Sequence, residues 1–214
     1  MKKNIRVLLL FALILMIILL SACSAVQATQ SSQQNSVSDA SSSVISSDSK
    51  EAESHTINGI LLIKTAVYSG KVKVFIPDSF SVMTEEMLKL KYPTDNRPTL
   101  VYTNESGSVN IVFNHTQNRI KKADYPEFIE SFKAALANQY PTAQFYRTGI
   151  ETINGNSVGI IELITPAIDT DIYNLMWFAE LDGRILLISF NCTIDQKDDW
   201  IEAANFILES FELK

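Results

Sequence analysis

The stretch IYNLMWFAELDGRILLISFN, residues 172–191, decides the fold of this chain. Two apolar runs, 172–181 and 184–191, flank the dipeptide Asp182-Gly183. Asp-Gly favours a type I′ turn, because both central residues of that turn need a positive φ. The stretch is therefore predicted to be a β-hairpin. Residues 185–188 in its second strand are all apolar. Both faces of that strand should be covered, which places it in the middle of a sheet.

Three more glycine turns extend the hairpin pattern along the chain. Ser69-Gly70, Ser106-Gly107 and Asn154-Gly155 each separate two runs rich in β-branched and aromatic residues. All seven Gly and all six Pro lie after residue 57. These signals predict one globular domain at residues 57–214.

Helices are indicated where a capping residue precedes a helical stripe of apolar side chains. Asp195 can begin one that runs to about residue 210. Asp124 can begin another, with Pro126 in its first turn, where the missing N–H is harmless. A third, shorter helix is predicted from Thr84. The resulting order predicts an α+β fold, an antiparallel sheet of about six to eight strands with helices against its faces.

The charge balance bears on the class of partner. The chain has 18 Lys and Arg against 24 Asp and Glu, and three of the basic residues fall within residues 1–22. The remainder is strongly acidic, which argues against a nucleic-acid partner. Two Cys among 214 residues exclude a disulfide-stapled scaffold and a multi-Cys zinc site. No cofactor is expected.

The N-terminus has the features of an export signal. Three basic residues precede fourteen consecutive apolar residues at 7–20, which is too short for a spanning helix. The tetrapeptide Leu20-Ser21-Ala22-Cys23 follows and resembles the lipobox of bacterial lipoproteins. The resemblance implies cleavage of residues 1–22 as a signal peptide and diacylglycerol on Cys23. Residues 23–56 then form a Ser-rich segment, which we expect to be a disordered tether. The expected location is extracytoplasmic, lipid-anchored to the cell membrane through Cys23.

Several apolar and turn motifs of the globular part resemble one family. They are Phe75-Ile-Pro-Asp-Ser-Phe80, the segment 101–113, the segment 153–162, the Asp182-Gly183 hairpin and the closing segment 207–211. Together they resemble the PsbP-like domain of the photosystem II extrinsic subunit and of a Ran-binding nuclear import factor. The resemblance implies an α/β/α sandwich. It brings no catalytic residue to transfer, and members of the family tend to be binding or assembly factors, although fold alone does not fix function.

One motif bears on catalysis. Residues 155–159 match G-x-S-x-G, the nucleophile elbow of serine hydrolases, with Ser157 in the nucleophile position. That motif needs a strand, a turn and then a helix, whereas an Asn-Gly hairpin is predicted here. The triad also needs a His after the acid, and no His follows His115. We therefore predict a non-enzyme and keep the hydrolase as an alternative. No metal site is predicted, because no His or Cys pair has ligand spacing.

Amphipathic aromatic residues suggest a binding surface, since they are favoured at interfaces and in ligand grooves. They are equally common as ordinary sheet residues. The candidate surface comprises Tyr92, Arg97, Tyr102, Tyr146, Tyr173 and Trp177. The favoured function is a non-catalytic binding or assembly module for an envelope protein partner. A small-ligand-binding lipoprotein with an aromatic cleft is the main alternative. The identity of the partner and the oligomeric state are left open by the sequence.

Overall fold

The structure, a computed structural model, describes residues 52–93 and 97–214. The predicted signal peptide, Cys23 and nearly all of the predicted tether lie outside these residues. The described residues form eleven strands and three α-helices in one chain order. The elements are β1 (Ser54–Ile57), β2 (Ile60–Val67), β3 (Val72–Pro77), β4 (Ser81–Val82), α1 (Glu85–Lys91), β5 (Leu100–Thr103), β6 (Val109–Arg119), α2 (Tyr125–Gln139), β7 (Gln144–Ile153), β8 (Asn156–Pro166), β9 (Asp171–Leu181), β10 (Arg184–Thr193), α3 (Lys197–Glu209) and β11 (Glu212–Leu213).

The strands form two antiparallel sheets. The large sheet has seven strands in the order β4-β5-β6-β10-β9-β8-β7, and the small sheet has four in the order β1-β2-β3-β11. The predicted α+β class is confirmed. The predicted central strand is also confirmed, because β10 has three strands on each side. Its alternate side chains enter two cores: Leu186 and Ile188 face the small sheet, whereas Ile185 and Leu187 pack under α2.

Two-residue turns join β7 to β8 and β9 to β10. Asn154 and Gly155 have φ of 47° and 78°, and Asp182 and Gly183 have φ of 54° and 74°. Both pairs therefore make the predicted turns with two consecutive positive φ values. The two hairpins place β7, β8, β9 and β10 side by side in chain order.

The small sheet differs from the single predicted sheet. The β2–β3 hairpin does not extend the large sheet but packs over one face of it, together with α3. The reason lies in β3, where Val72 and Val74 are fully buried and Phe75 and Ile76 nearly so. A strand that is apolar on both faces needs a cover on each. The first strand also begins at Ser54, before the predicted domain start at residue 57, and the His55 ring on it contacts Phe75 and Phe206.

The helices cover both faces of the large sheet. α1 begins after Thr84, whose Oγ1 accepts a hydrogen bond from the Met87 amide at 3.2 Å. α2 follows a 3₁₀ turn, and the Asp124 carboxylate accepts from the Lys121 amide at 3.1 Å instead of capping the helix itself. α1 and α2 lie on one face of the large sheet, and α3 lies on the other with the small sheet. No helix in the described ranges is both long and apolar enough to cross a membrane.

The thiol of Cys192 is expected to make the fold sensitive to alkali. The residue is fully buried on β10, and burial raises the pKa of the thiol to about 12. Between about pH 9 and about pH 12 the unfolded chain releases this proton while the folded chain keeps it, so the free energy of unfolding falls as pH rises through this window. We expect a loss of about 1.4 kcal/mol per pH unit from this group. Urea denaturation of the wild type and of Cys192→Ala at successive pH values measures it, and an equal slope in both proteins would contradict this origin.

Candidate functional site

A row of polar side chains crosses the face of the large sheet that carries α1 and α2. α1 and α2 pack on the apolar part of that face. The row runs through five adjacent strands in the order β5, β6, β10, β9 and β8. We call it the polar strip, and its members are Thr103, Asn110, Asn191, Asn174 and Thr165. Each is less than 9 % exposed, which is unusual for Asn and Thr in the middle of a sheet.

Register explains how these residues come together. Thr103 pairs with Asn110, Asn110 with Asn191, and Asn191 with Asn174. Residues directly opposite one another in antiparallel strands point to the same face. The four side chains therefore stand in one line across the sheet, and Thr165 lies diagonally beyond Asn174.

Most polar groups of the strip bond to one another. Thr103 Oγ1 donates to Asn110 Oδ1 at 2.8 Å, and Asn110 Nδ2 donates to Asn191 Oδ1 at 3.0 Å. At the other end, Asn174 Nδ2 donates to Thr165 Oγ1 at 3.1 Å and to the Ile172 carbonyl at 3.0 Å. Buried polar groups are nearly always bonded in this way.

The chain of bonds is interrupted at its centre. Within the described residues, Asn191 Nδ2 and Asn174 Oδ1 have no hydrogen-bond partner. Neither atom is fully enclosed, so each keeps a slight contact with solvent, although Asn174 and Asn191 are only 3 % and 8 % exposed. The strip therefore presents one open amide donor beside one open amide acceptor, on neighbouring strands.

The two helices pack on the same face of the large sheet as the strip. α2 packs on apolar side chains of β8, β9 and β10, whereas the α1 region packs on Val101 and Val112 of β5 and β6. At the β5 end, Lys91 Nζ of α1 donates to the Gly107 carbonyl, which also accepts from Asn110 Nδ2 at 3.2 Å. The strip thus ends next to a cationic side chain.

The six residues of the predicted aromatic surface are divided between the two faces of the large sheet. Tyr92 is buried at the end of α1, where burial raises its pKa to about 12, and its carbonyl accepts from Arg97 Nε at 2.8 Å. Tyr173 and Trp177 are fully buried on the opposite face. Tyr102 also lies on that face and packs against Phe113.

Only one pair of predicted tyrosines is brought together. Lys197 Nζ of α3 lies 5.1 Å from the ring centre of Tyr146 and 5.4 Å from that of Tyr173. Tyr146 is 53 % exposed. The Tyr173 hydroxyl donates to Glu162 Oε1 at 3.1 Å, and burial together with this carboxylate raises the pKa of Tyr173. The structure therefore does not assemble the six side chains into one surface.

Ser157 lies in a strand and not at a nucleophile elbow. It is the second residue of β8 and pairs with Thr152 across the Asn154-Gly155 hairpin. A strand, not a helix, follows the turn. His115 is on β6, three strands away in the sheet, which corresponds to about 14 Å. Within the described ranges, no group of three His, Cys, Asp or Glu side chains could hold a metal ion.

The polar strip could not be found from sequence alone. Its three Asn residues sit singly among apolar neighbours in different strands, and only pairing register aligns them. One sequence feature could have indicated these residues, namely an Asn within a strongly apolar predicted strand, as at Asn174 and Asn191. Such a residue is costly to bury and needs a partner.

Solved structures with low sequence identity resemble this chain in fold. No family model matches the chain, and no curated protein matches its sequence. The solution structure of cyanobacterial PsbP (CyanoP) from Synechocystis is similar with a TM-score of 0.53 at 10 % identity, over 72 % of this chain and 92 % of that one. LpqN of Mycobacterium tuberculosis, described as involved in cell envelope biogenesis, gives a TM-score of 0.48 at 14 % identity, over 75 % of this chain and 98 % of that one. The sheet order, the covering helices and the first of these likenesses together show that the folded part of the chain has the PsbP-like fold.

Proposed function

We propose that this chain is an extracytoplasmic lipoprotein, anchored to the membrane through Cys23, whose PsbP-like domain is a non-catalytic module that binds an envelope protein. The observation that carries the binding role is the open centre of the polar strip. The anchor rests on the lipobox at residues 20–23.

The chemistry of the strip favours an uncharged ligand group. Asn191 Nδ2 is a donor and Asn174 Oδ1 is an acceptor, and the two residues lie opposite each other on paired strands. In an extended main chain the N–H and C=O of one residue point to the same side, so one residue of a bound segment can satisfy both. Leaving a buried partner unsatisfied is costly, which gives such a site selectivity for polar main chain over an apolar surface. We therefore propose that an extended segment of the partner lies along the strip, on the face of the large sheet that carries α1 and α2.

The position of the anchor is compatible with this role. The tether enters the fold at β1, an edge strand of the small sheet. The small sheet covers one face of the large sheet, and the polar strip lies on the other. The attachment point therefore leaves the strip unobstructed.

Strip-dependent capture tests the proposed function. The full chain is immobilised in detergent and exposed to solubilised membranes of its host. Asn191→Leu keeps the side-chain size but removes the open donor, together with the oxygen that accepts from Asn110 Nδ2. We expect it to lower the amount of a specific retained protein at least about tenfold, equivalent to about 1.4 kcal/mol. Asn205→Leu on α3, on the opposite face of the large sheet, is the matched control and should retain that protein.

The outcomes are distinct. A protein retained equally by wild type, Asn191→Leu and Asn205→Leu binds elsewhere, and the proposed role of the strip is then wrong. Retention of no protein by the wild type also counts against a protein partner.

A small polar ligand is the second candidate, because the same donor and acceptor fit a sugar hydroxyl. A ligand that binds only the folded chain raises the unfolding temperature. Thermal unfolding of the wild type with cell-wall fragments tests this candidate. A rise that disappears in Asn191→Leu would favour the small-ligand function over the protein-binding one.

A further inference from the structure

The large sheet has one long open edge. β7 (Gln144–Ile153) is its last strand, whereas the opposite edge strand, β4, has only two residues. Natural proteins usually protect long edge strands, because unpaired main-chain groups can bind another strand. On β7 the protection is partial: a register shift occurs between Phe145 and Arg147, and pairing is regular from there to Ile153. Ile150 in the regular part is 41 % exposed.

The hairpin fixes which main-chain groups point outward. Residues that flank a two-residue type I′ turn exchange both hydrogen bonds. Ile153 and Asn156 flank this turn, so alternate residues from Ile153 back to Gly149 bond to β8. The N–H and C=O groups of Thr148, Ile150 and Thr152 are therefore directed away from the sheet, toward an additional strand.

The sequence of this edge is self-complementary about Gly149. Arg147 and Glu151 lie on the same face of β7, and Arg147 Nε bonds to Glu151 Oε1 at 2.8 Å across the intervening glycine. If a second β7 pairs antiparallel with Gly149 opposite Gly149, each Arg147 lies opposite the Glu151 of the other copy. Thr148 then lies opposite Ile150, and both are outward-directed residues, as the hydrogen-bonding pattern requires.

We propose that two copies of this chain dimerise by antiparallel pairing of their β7 strands about Gly149, which joins the two large sheets into one. We assign the edge to a second copy because, in this register, Arg147 and Glu151 of one β7 lie opposite Glu151 and Arg147 of the other. Shifting the strands by two residues keeps the main-chain bonds but places Arg147 opposite Gly149 or Ile153. Opposite charges directly across two strands stabilise a pair, and like charges destabilise it. The inference does not depend on the proposed binding function of the polar strip.

Charge exchange tests the dimer. The full chain in excess detergent is analysed by sedimentation velocity over a concentration series. The wild type is expected to dimerise. Arg147→Glu and Glu151→Arg alone each place like charges opposite one another twice, so each variant should be monomeric.

A mixture of the Arg147→Glu and Glu151→Arg chains gives the most direct test of the charge pairing. The Arg147→Glu chain then faces the Glu151→Arg chain with every pair opposite in charge, so heterodimers should form. Loss of the ion pair within each chain cannot explain such a recovery, because mixing does not restore it. A wild type that is monomeric at every concentration, or a mixture that stays monomeric, would overturn the proposal.

Cross-linking tests the register. Opposing residues in a non-hydrogen-bonded pair have Cα atoms about 4.5 Å apart, within the range for a disulfide. No atom lies within 4 Å of a Cβ placed on Gly149, so Gly149→Cys should fold and should form a disulfide-linked dimer on oxidation. Thr152→Cys on the same edge is the matched control and should form no disulfide-linked dimer. In this register residue 152 of one copy lies opposite residue 146 of the other, six residues away from that copy's own residue 152. Equal cross-linking of both variants, or of neither, would contradict this register.

Discussion

Replacing Gly159 by alanine is expected to lower the free energy of unfolding by about 3 kcal/mol, at the upper end of the cost of overpacking a core. Gly159 on β8 lies directly opposite Phe178 on β9. A Cβ at this position would lie 2.1 Å from Phe178 Cε1. The Phe178 ring has little freedom to move away, because its centre is 5.0 Å from that of Tyr125 and 4.6 Å from that of Phe128 on α2.

The effect distinguishes two explanations of the G-x-S-x-G motif. A nucleophile elbow would need this glycine for catalysis, whereas the structure uses it to admit an aromatic ring. Urea denaturation measures the cost. Gly149→Ala on the neighbouring strand is the matched control and should be neutral or slightly stabilising, since nothing lies within 4 Å of its Cβ. Phe178→Leu should reduce the cost of Gly159→Ala in the double variant. A Gly159→Ala protein as stable as the wild type would show that the packing is misassigned.

Replacing Cys23 by alanine is expected to abolish lipidation completely. Residue 23 lies outside the described residues, and this prediction follows from the proposed anchor. The wild type should incorporate labelled fatty acid and lose the mass of residues 1–22. Cys23→Ala should incorporate none and keep its signal peptide, because both steps depend on the thiol. Whole-protein mass spectrometry of the membrane fraction, with radiolabel detection, measures both.

Ser24→Ala is the matched control for this substitution, since it changes the adjacent residue but leaves the lipobox intact. It should be labelled like the wild type. Fatty-acid label in Cys23→Ala, or none in the wild type, would exclude the proposed anchor.

The sequence predicted the features that depend on neighbouring residues, namely the two-residue turns and the central strand. Asn154-Gly155 and Asp182-Gly183 form the predicted turns because positive φ is a property of the dipeptide itself. The central position of β10 followed from four consecutive apolar residues, since only a strand covered on both faces needs them.

The features that the sequence did not predict depend on pairing between strands that are far apart in the chain. β11 completes the small sheet by pairing with β3, and no local pattern in the sequence predicts that contact. Tyr173 and Trp177 were candidates for a surface, but strand alternation directs both into the core between the two sheets. The polar strip requires the register of four strand pairs, so Asn110, Asn174 and Asn191 had no visible connection in the sequence.

Site-specific photocross-linking tests most directly whether the polar strip is the binding site. Thr193 lies two residues beyond Asn191 on the same strand, half-buried at the rim of the strip. Thr193→Cys is labelled with a benzophenone maleimide in the full lipidated chain, in which the proposed lipid blocks Cys23. Cys192 should not react because it is buried with a raised thiol pKa. Glu202→Cys, exposed on α3 on the opposite face, is the matched control. We predict that irradiation with solubilised host membranes gives one covalent protein adduct from position 193 and none from position 202. Equal adducts from both positions, or none from position 193, would contradict the account.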